Sequence, residues 1–208
     1  MRTRVKICGI TRCEDARVAI DAGVDAIGLV FYEKSPRFVE NRLAAEISRS
    51  IPAFVSRVGL FKDATKQVVE SVLKSVEIDL IQFHGSESVA FCESFALPYI
   101  KALGMKGTEH DASFLINGEK IYGSAKALLL DGHAPGEAGG TGESFDWASV
   151  ASVEKPIILA GGLKPENVAQ AIAIVRPYAV DVSSGVERSP GIKDKEKITA
   201  FMQQLRTE

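Results

Sequence analysis

Two residues of this 208-residue chain stand where acid–base chemistry is expected. Cys8 closes the apolar run Val5–Cys8 just before Gly9, and Asp131 closes the run Ala127–Asp131 just before Gly132. Taken alone, Cys8 reads as a small buried hydrophobe, since free cysteine is among the most buried residue types. At a strand end facing a glycine turn it reads instead as a thiolate base or nucleophile, which needs its pKa lowered from about 8.5. Asp131 follows Leu128, Leu129 and Leu130, where a carboxylate has no structural reason to stand except as a cap or a catalytic group. To act as an acid near neutral pH it needs its pKa raised from about 3.9, by burial or by a neighbouring anion.

Further polar groups stand beside other apolar runs. His84 follows Leu80–Phe83 and can orient a neighbour, line a site, cap a helix or pack in the core. Asp181 lies inside the run Ala179–Val182. Arg37, in the segment Ser35-Pro36-Arg37, has the fork geometry to hold a carboxylate, although a lone loop arginine is more often a solvated surface charge. Two glycine turns complete the set: Gly161 and Gly162 after Ile157–Ala160, and Ser183, Ser184 and Gly185 after Ala179–Val182. Neither turn contains lysine or arginine. Glycine lets backbone NH groups come close to an anion, and a helix N-terminus adds partial positive charge, so phosphate binding is expected at Gly161, Gly162, Ser184 and Gly185. The alternative is that these glycines only make tight turns.

The elements that must carry these residues are legible as a repeat. Eight short aliphatic runs recur: Val5–Cys8, Ala26–Phe31, Phe54–Phe61, Leu80–Phe83, Tyr99–Leu103, Ala127–Asp131, Ile157–Ala160 and Ala179–Val182. Between them lie stripes of helical period: Leu43, Ile47 and Ile51; Val68, Val69, Val72, Leu73 and Val76; Val168, Ala171, Ile172 and Val175; Ile198, Phe201, Met202 and Leu205. Thr11 and Glu14 have the spacing of a capping box, and Pro165 suits a first helical turn. Trp147 is expected to pack under a sixth helix. The fifth unit is weakest, because Lys106–Gly123 is polar and only Phe114–Ile116 hints at a helix face. Runs apolar on both faces suit parallel strands covered on both sides. Strict β/α alternation ending on a helix favours an α/β single (β/α)8 barrel of compact length, covering 1–208 as one domain, over an open doubly wound sheet. In such a barrel the strand C-termini form the active-site face, and phosphate commonly binds after strands 7 and 8. Those strands lie between 6 and 1, so a phosphate held there has Asp131 on one side and Cys8 on the other.

Composition narrows the partners. The 25 basic and 27 acidic residues nearly cancel and form no long block, which argues against nucleic acid or an anionic membrane and for a small phosphorylated molecule. Three cysteines, Cys8, Cys13 and Cys92, without ligand spacing predict free thiols in a reducing compartment, the cytoplasm. The three histidines, His84, His110 and His133, have no paired spacing, so no metal is expected. No stretch reaches the roughly 20 apolar residues of a spanning helix.

The motifs, taken in order, resemble the phosphoribosylanthranilate isomerase family. They are Lys6-Ile7-Cys8-Gly9-Ile10, Gly28–Phe31 with Ser35-Pro36-Arg37, Gly59-Leu60-Phe61, Gln82-Phe83-His84-Gly85, Leu129–Gly132, Gly139–Gly142 with Phe145-Asp146-Trp147, Ala160–Leu163 and Asp181–Glu187. Only the fifth unit departs. The resemblance implies a cofactor-free Amadori rearrangement in tryptophan biosynthesis. In it Asp131 would protonate the furanose oxygen, Cys8 would take the C2 proton and Arg37 would hold the anthranilate carboxylate. The loops at 161–162 and 184–185 would hold the phosphate, with His84 and Asp181 as nearby support, in a homodimer or a monomer. A related isomerase of histidine biosynthesis resembles a two-aspartate, two-phosphate design, which Cys8 and Arg37 argue against; a non-catalytic phosphate-binding barrel would leave Cys8 and Asp131 without a joint task.

Overall fold

The computed structural model describes residues 2–105, 107, 112–132 and 145–205. Eight parallel strands close a barrel in chain order: β1 (Arg4–Cys8), β2 (Ala26–Val30), β3 (Ser56–Phe61), β4 (Leu80–Phe83), β5 (Tyr99–Gly104), β6 (Ala127–Asp131), β7 (Ile157–Leu159) and β8 (Ala179–Val182). The ring is completed by β8 pairing with β1 in the register Lys6 to Asp181 and Ile7 to Val182. Around it stand α1 (Cys13–Ala22), α2 (Asn41–Ser50), α3 (Lys66–Ser75), α4 (Val89–Glu93), α5 (Ala112–Ile121), α6 (Val168–Val175, after β7) and α7 (Lys195–Gln204). A two-stranded antiparallel pair, β9 (Glu187–Ser189) and β10 (Ile192–Lys193), lies between β8 and α7.

Because strand side chains alternate, each strand serves two cores. Outward residues such as Ile7, Leu29, Phe61, Ile81, Leu128, Leu130 and Val180 pack under the helices. Inward residues of β5 to β8, among them Ile100, Ala102, Leu129, Ile158 and Ala179, fill one half of the barrel with hydrocarbon. On the other side of the lumen Cys8, Val30 and Leu60 form a small apolar group backed by Tyr32. Burial on both faces explains why the strands read as continuous apolar runs.

Several local expectations are corrected. β3 begins at Ser56; Phe54 sits in a turn with φ 71 and is fully exposed. No capping box forms at α1: the cap is Arg12, without a side-chain bond, and Thr11 Oγ1 donates to the Gly191 carbonyl instead. Pro165 lies in the turn leading into α6 rather than in the helix, whose cap is Asn167. Leu43 and Val68 point outward, so α2 buries Ala44, Ala45, Ile47 and Ser48, and α3 buries Val69 and Val72. Among the described residues no α-helix follows β6. Trp147 opens a 3-10 turn, Trp147–Ser149, which packs beside α6.

The polar fifth unit does contain a helix. Among the described residues, Leu115 is the one fully buried apolar side chain of α5. Leu115→Ala should therefore cost about 2–5 kcal/mol of unfolding free energy, the usual range for such a truncation. Urea titration checks this, and a loss within error would mean that α5 is not anchored to the barrel.

Candidate active site

Side chains at the C-terminal end of the barrel face one cavity, lined by Cys8, Arg37, His84, Asp131, Gly162 and Ser184 among others. Cys8 ends β1 and is 5% exposed. Two residues earlier on the same face, Lys6 is buried and places Nζ 2.9 and 3.0 Å from the two oxygens of Asp181. Burial pushes the Cys8 thiol above its ordinary value; Lys6 opposes that rise, and Asp181 adds to it. The sequence asks for a thiol pKa lowered by backbone dipoles, whereas here desolvation dominates and the opposing charge is a lysine side chain.

Asp131 ends β6 on the opposite wall and is buried. His84 Nε2 lies 3.3 Å from its Oδ2, and His84 Nδ1 lies 2.9 Å from the amide nitrogen of Gln82. With that amide donating to Nδ1, the ring hydrogen sits on Nε2, facing Asp131. His84 thus sits between Gln82 and Asp131, a supporting position.

Arg37 is neither a solvated charge nor an open fork. Its Nε and Nη2 each donate to Glu187 at 2.9 Å, in a bidentate pair that does not use Nη1, and Arg37 lines the cavity. Glu187 also accepts from Lys193 Nζ at 2.8 Å, and Lys193 reaches the Ser183 carbonyl at 3.1 Å. Ser183 Oγ in turn donates to the Cys8 carbonyl at 3.0 Å. Burial alone would raise the Glu187 pKa, but Arg37 and Lys193 outweigh it and hold the carboxyl below the usual range. Lys193, more deeply buried, ends below an ordinary lysine although Glu187 opposes the fall. Glu187 and Lys193 were missed at the sequence level. Glu187 is the last residue of the Asp181–Glu187 motif, and its distance of 150 residues from Arg37 gives no local signal.

The two glycine turns interlock. A Cβ on Gly185 would strike the Leu163 carbonyl, and one on Gly161 would strike the Gly132 amide and come 3.0 Å from Asp131 Oδ1. Their glycines are therefore needed for loop packing, and Gly185 does not line the cavity. Gly161, at φ 79, Gly162, at φ 65, and Ser184 do line it. Asn167 accepts from the Lys164 amide at 2.8 Å and donates to the Gly162 carbonyl at 2.9 Å, which holds this turn open. Asp181 lines the cavity with both oxygens committed to Lys6. The Gly139–Gly142 segment lies outside the described residues.

Residues 5–204 match the family model described as N-(5'phosphoribosyl)anthranilate (PRA) isomerase. The chain belongs to this family. Over 98% of the chain it is 55% identical to a curated N-(5'-phosphoribosyl)anthranilate isomerase of Pseudomonas fluorescens, and it covers 95% of that relative. The crystal structure of phosphoribosyl anthranilate isomerase from Thermotoga maritima superposes with a TM-score of 0.86 at 39% identity, over 99% of this chain and 100% of that one. Another solved isomerase, in complex with reduced 1-(o-carboxyphenylamino)-1-deoxyribulose 5-phosphate, superposes at 0.82 and 37% identity, again over 99% and 100% of the two chains.

The interlocked turns make a direct prediction about anions. Inorganic phosphate soaked into crystals of the protein should bind against the backbone amides of Gly162 and Ser184, because neither glycine turn carries a lysine or arginine of its own. Density held by lysine or arginine side chains elsewhere, with these turns empty, would count against the site.

Proposed function

We propose that Cys8 and Asp131 together carry the reaction of this family, the Amadori rearrangement of N-(5-phosphoribosyl)anthranilate to 1-(2-carboxyphenylamino)-1-deoxy-D-ribulose 5-phosphate in tryptophan biosynthesis. One observation carries the assignment: a thiol and a carboxyl on opposite walls of one cavity, between a guanidinium on one flank and glycine amides on the other. The substrate carries the two anions to match, an aryl carboxylate for Arg37 Nη1 and a phosphate for the turns at 161–162 and 183–184. Val30, Leu60 and Tyr32 offer an apolar wall to the anthranilate ring.

Asp131 gives its proton to the furanose oxygen. The C1–O bond breaks, and the anilino nitrogen lone pair forms the protonated C1=N bond. Cys8 thiolate then removes the C2 proton: the C–H pair becomes the C1=C2 bond, and the C1=N π pair returns to nitrogen. The enolamine tautomerises to the 2-ketone. No step needs an oxidant, and both groups act as positioned acid and base. His84 and Asp181 act behind them, on Asp131 and on Lys6 respectively. The assembly that carries this chemistry is a homodimer or a monomer. Three free thiols, Cys8, Cys13 and Cys92, support a reducing, cytoplasmic setting.

Incubation with N-(5-phosphoribosyl)anthranilate should abolish the substrate's fluorescence, and persistence of the signal would overturn the assignment. Asp131→Asn and Cys8→Ser should fold, bind substrate and lose about 100 to 10,000-fold in kcat, the usual contribution of a general acid or base. A Cys8→Ser protein that stays active per folded molecule but melts earlier would make Cys8 a packing residue. Since burial raises the thiol pKa, thiolate is scarce at neutral pH, and wild-type kcat/KM should climb with pH through the alkaline range. Glu187→Gln, which weakens the grip on Arg37, should raise KM about tenfold, the low end for a hydrogen bond to a charged group, with kcat little changed. Steady-state kinetics with a parallel melting curve test this; a fall in kcat at constant KM would contradict it.

A further inference from the structure

We propose that Lys6 is a positioning residue for Cys8: held from below by Asp181, its ammonium is the counter-charge that makes a thiolate tenable at the end of β1. This rests on Cys8 as the base of the reaction. Lys6 and Cys8 are alternate residues of β1, so both project into the barrel, with Lys6 one layer deeper. The register of β1 with β8 sets Lys6 opposite Asp181, and the carboxylate accepts from Nζ through both oxygens. The lysine stem rises past the neighbouring strand toward the sulfur. A Cβ placed on Gly28 would lie 2.7 Å from Cys8 Sγ and 3.1 Å from Lys6 Cε, so the two side chains converge over a position that only glycine leaves vacant. Lys6 is thereby close enough to the sulfur to act on it.

The charge balance gives the pair a task beyond packing. Lys6 and Asp181 sum to zero while Cys8 is a thiol, and loss of the thiol proton places Lys6 between two anions. Burial works against the lysine charge, yet Asp181 and Cys8 outweigh it and hold Lys6 protonated. A buried ion pair is weak support for stability, because its desolvation offsets the attraction, so its retention beside a reactive thiol calls for another role. The other charges around the cavity are Lys193 and Glu187 from β10 and β9, Lys34 and Arg37 from the loop after β2, Lys62 just after β3, and His84 with Asp131 across the cavity. Of the cations, Lys6 acts on Cys8 most strongly.

The two halves of the pair predict opposite signs. In a Cys13→Ser background, which removes the exposed thiol while Cys92 stays buried, the pH dependence of iodoacetamide alkylation at Cys8 is followed by peptide mass spectrometry. Lys6→Met should raise the alkylation midpoint by about one pH unit, roughly tenfold less thiolate at a given pH, and Asp181→Asn should lower it. Lys6→Arg should keep it near wild type. If Lys6→Met does not fold, Lys6→Met/Asp181→Asn removes both charges, and its midpoint should still rise, by less. Unchanged midpoints, or shifts of the same sign in Lys6→Met and Asp181→Asn, overturn the proposal. The pH profile of kcat/KM should move with the midpoint. A shifted midpoint beside an unmoved profile supports the Lys6–Cys8 coupling and overturns Cys8 as the base.

Discussion

Closure of β8 onto β1 is the constraint on which the rest of the structure depends. Four Cα pairs, from Arg4 with Ala179 to Ile7 with Val182, join segments about as far apart in sequence as the chain allows. That ladder puts the turn after β8 beside Cys8, so that Ser183 Oγ reaches the Cys8 carbonyl, and it sets Lys6 against Asp181. It also brings Glu187, six residues past Asp181, over the loop after β2, where it meets Arg37. An open sheet of the same eight strands would keep every local element and lose all three contacts.

The sequence foretold the parts that follow from period and punctuation. Strand runs covered on both faces, glycine turns at their ends and the order of the repeat sufficed for the barrel and for bringing Cys8, Arg37, His84, Asp131 and Asp181 to one cavity, with Gly185 left outside it. What escaped it has identifiable physical causes. Gly118 sits mid-helix in α5 and lowers its propensity, but a Cβ there would come 2.7 Å from Leu103 Cδ1, so the glycine lets α5 approach β5 closely. Thr11 and Glu14 have capping-box spacing, yet tertiary contact with Gly191 claims the threonine hydroxyl. Glu187 carries no local sign of its pairing with Arg37, 150 residues away, and Lys193 takes its place from Glu187 in turn.

Charge is distributed through this molecule by depth. On the face opposite the cavity, exposed pairs such as Arg2 with Asp25 tie strand starts to loops, where water screens them and each contributes little. On the cavity side three pairs are buried: Lys6 with Asp181, Lys193 with Glu187, and Lys101 with Glu87, whose carboxylate also takes the amides of Gly85 and Asp63. That last cluster fixes the turn carrying His84. Buried polar networks of this kind hold geometry because every alternative arrangement leaves a charge without a partner.

The bidentate Arg37–Glu187 pair changes what sort of receptor the carboxylate flank is. An unpaired guanidinium in a cavity would be an ion trap, filled by chloride or by any passing organic acid. Here Glu187 covers one edge of the fork and takes Lys193 as well, so the corner keeps one surplus positive charge, and an incoming carboxylate finds one remaining edge of the fork. That charge draws an anion to the flank without selecting among anions. Selection falls to the apolar wall and the glycine turns, which only a ligand of the right outline and reach engages together.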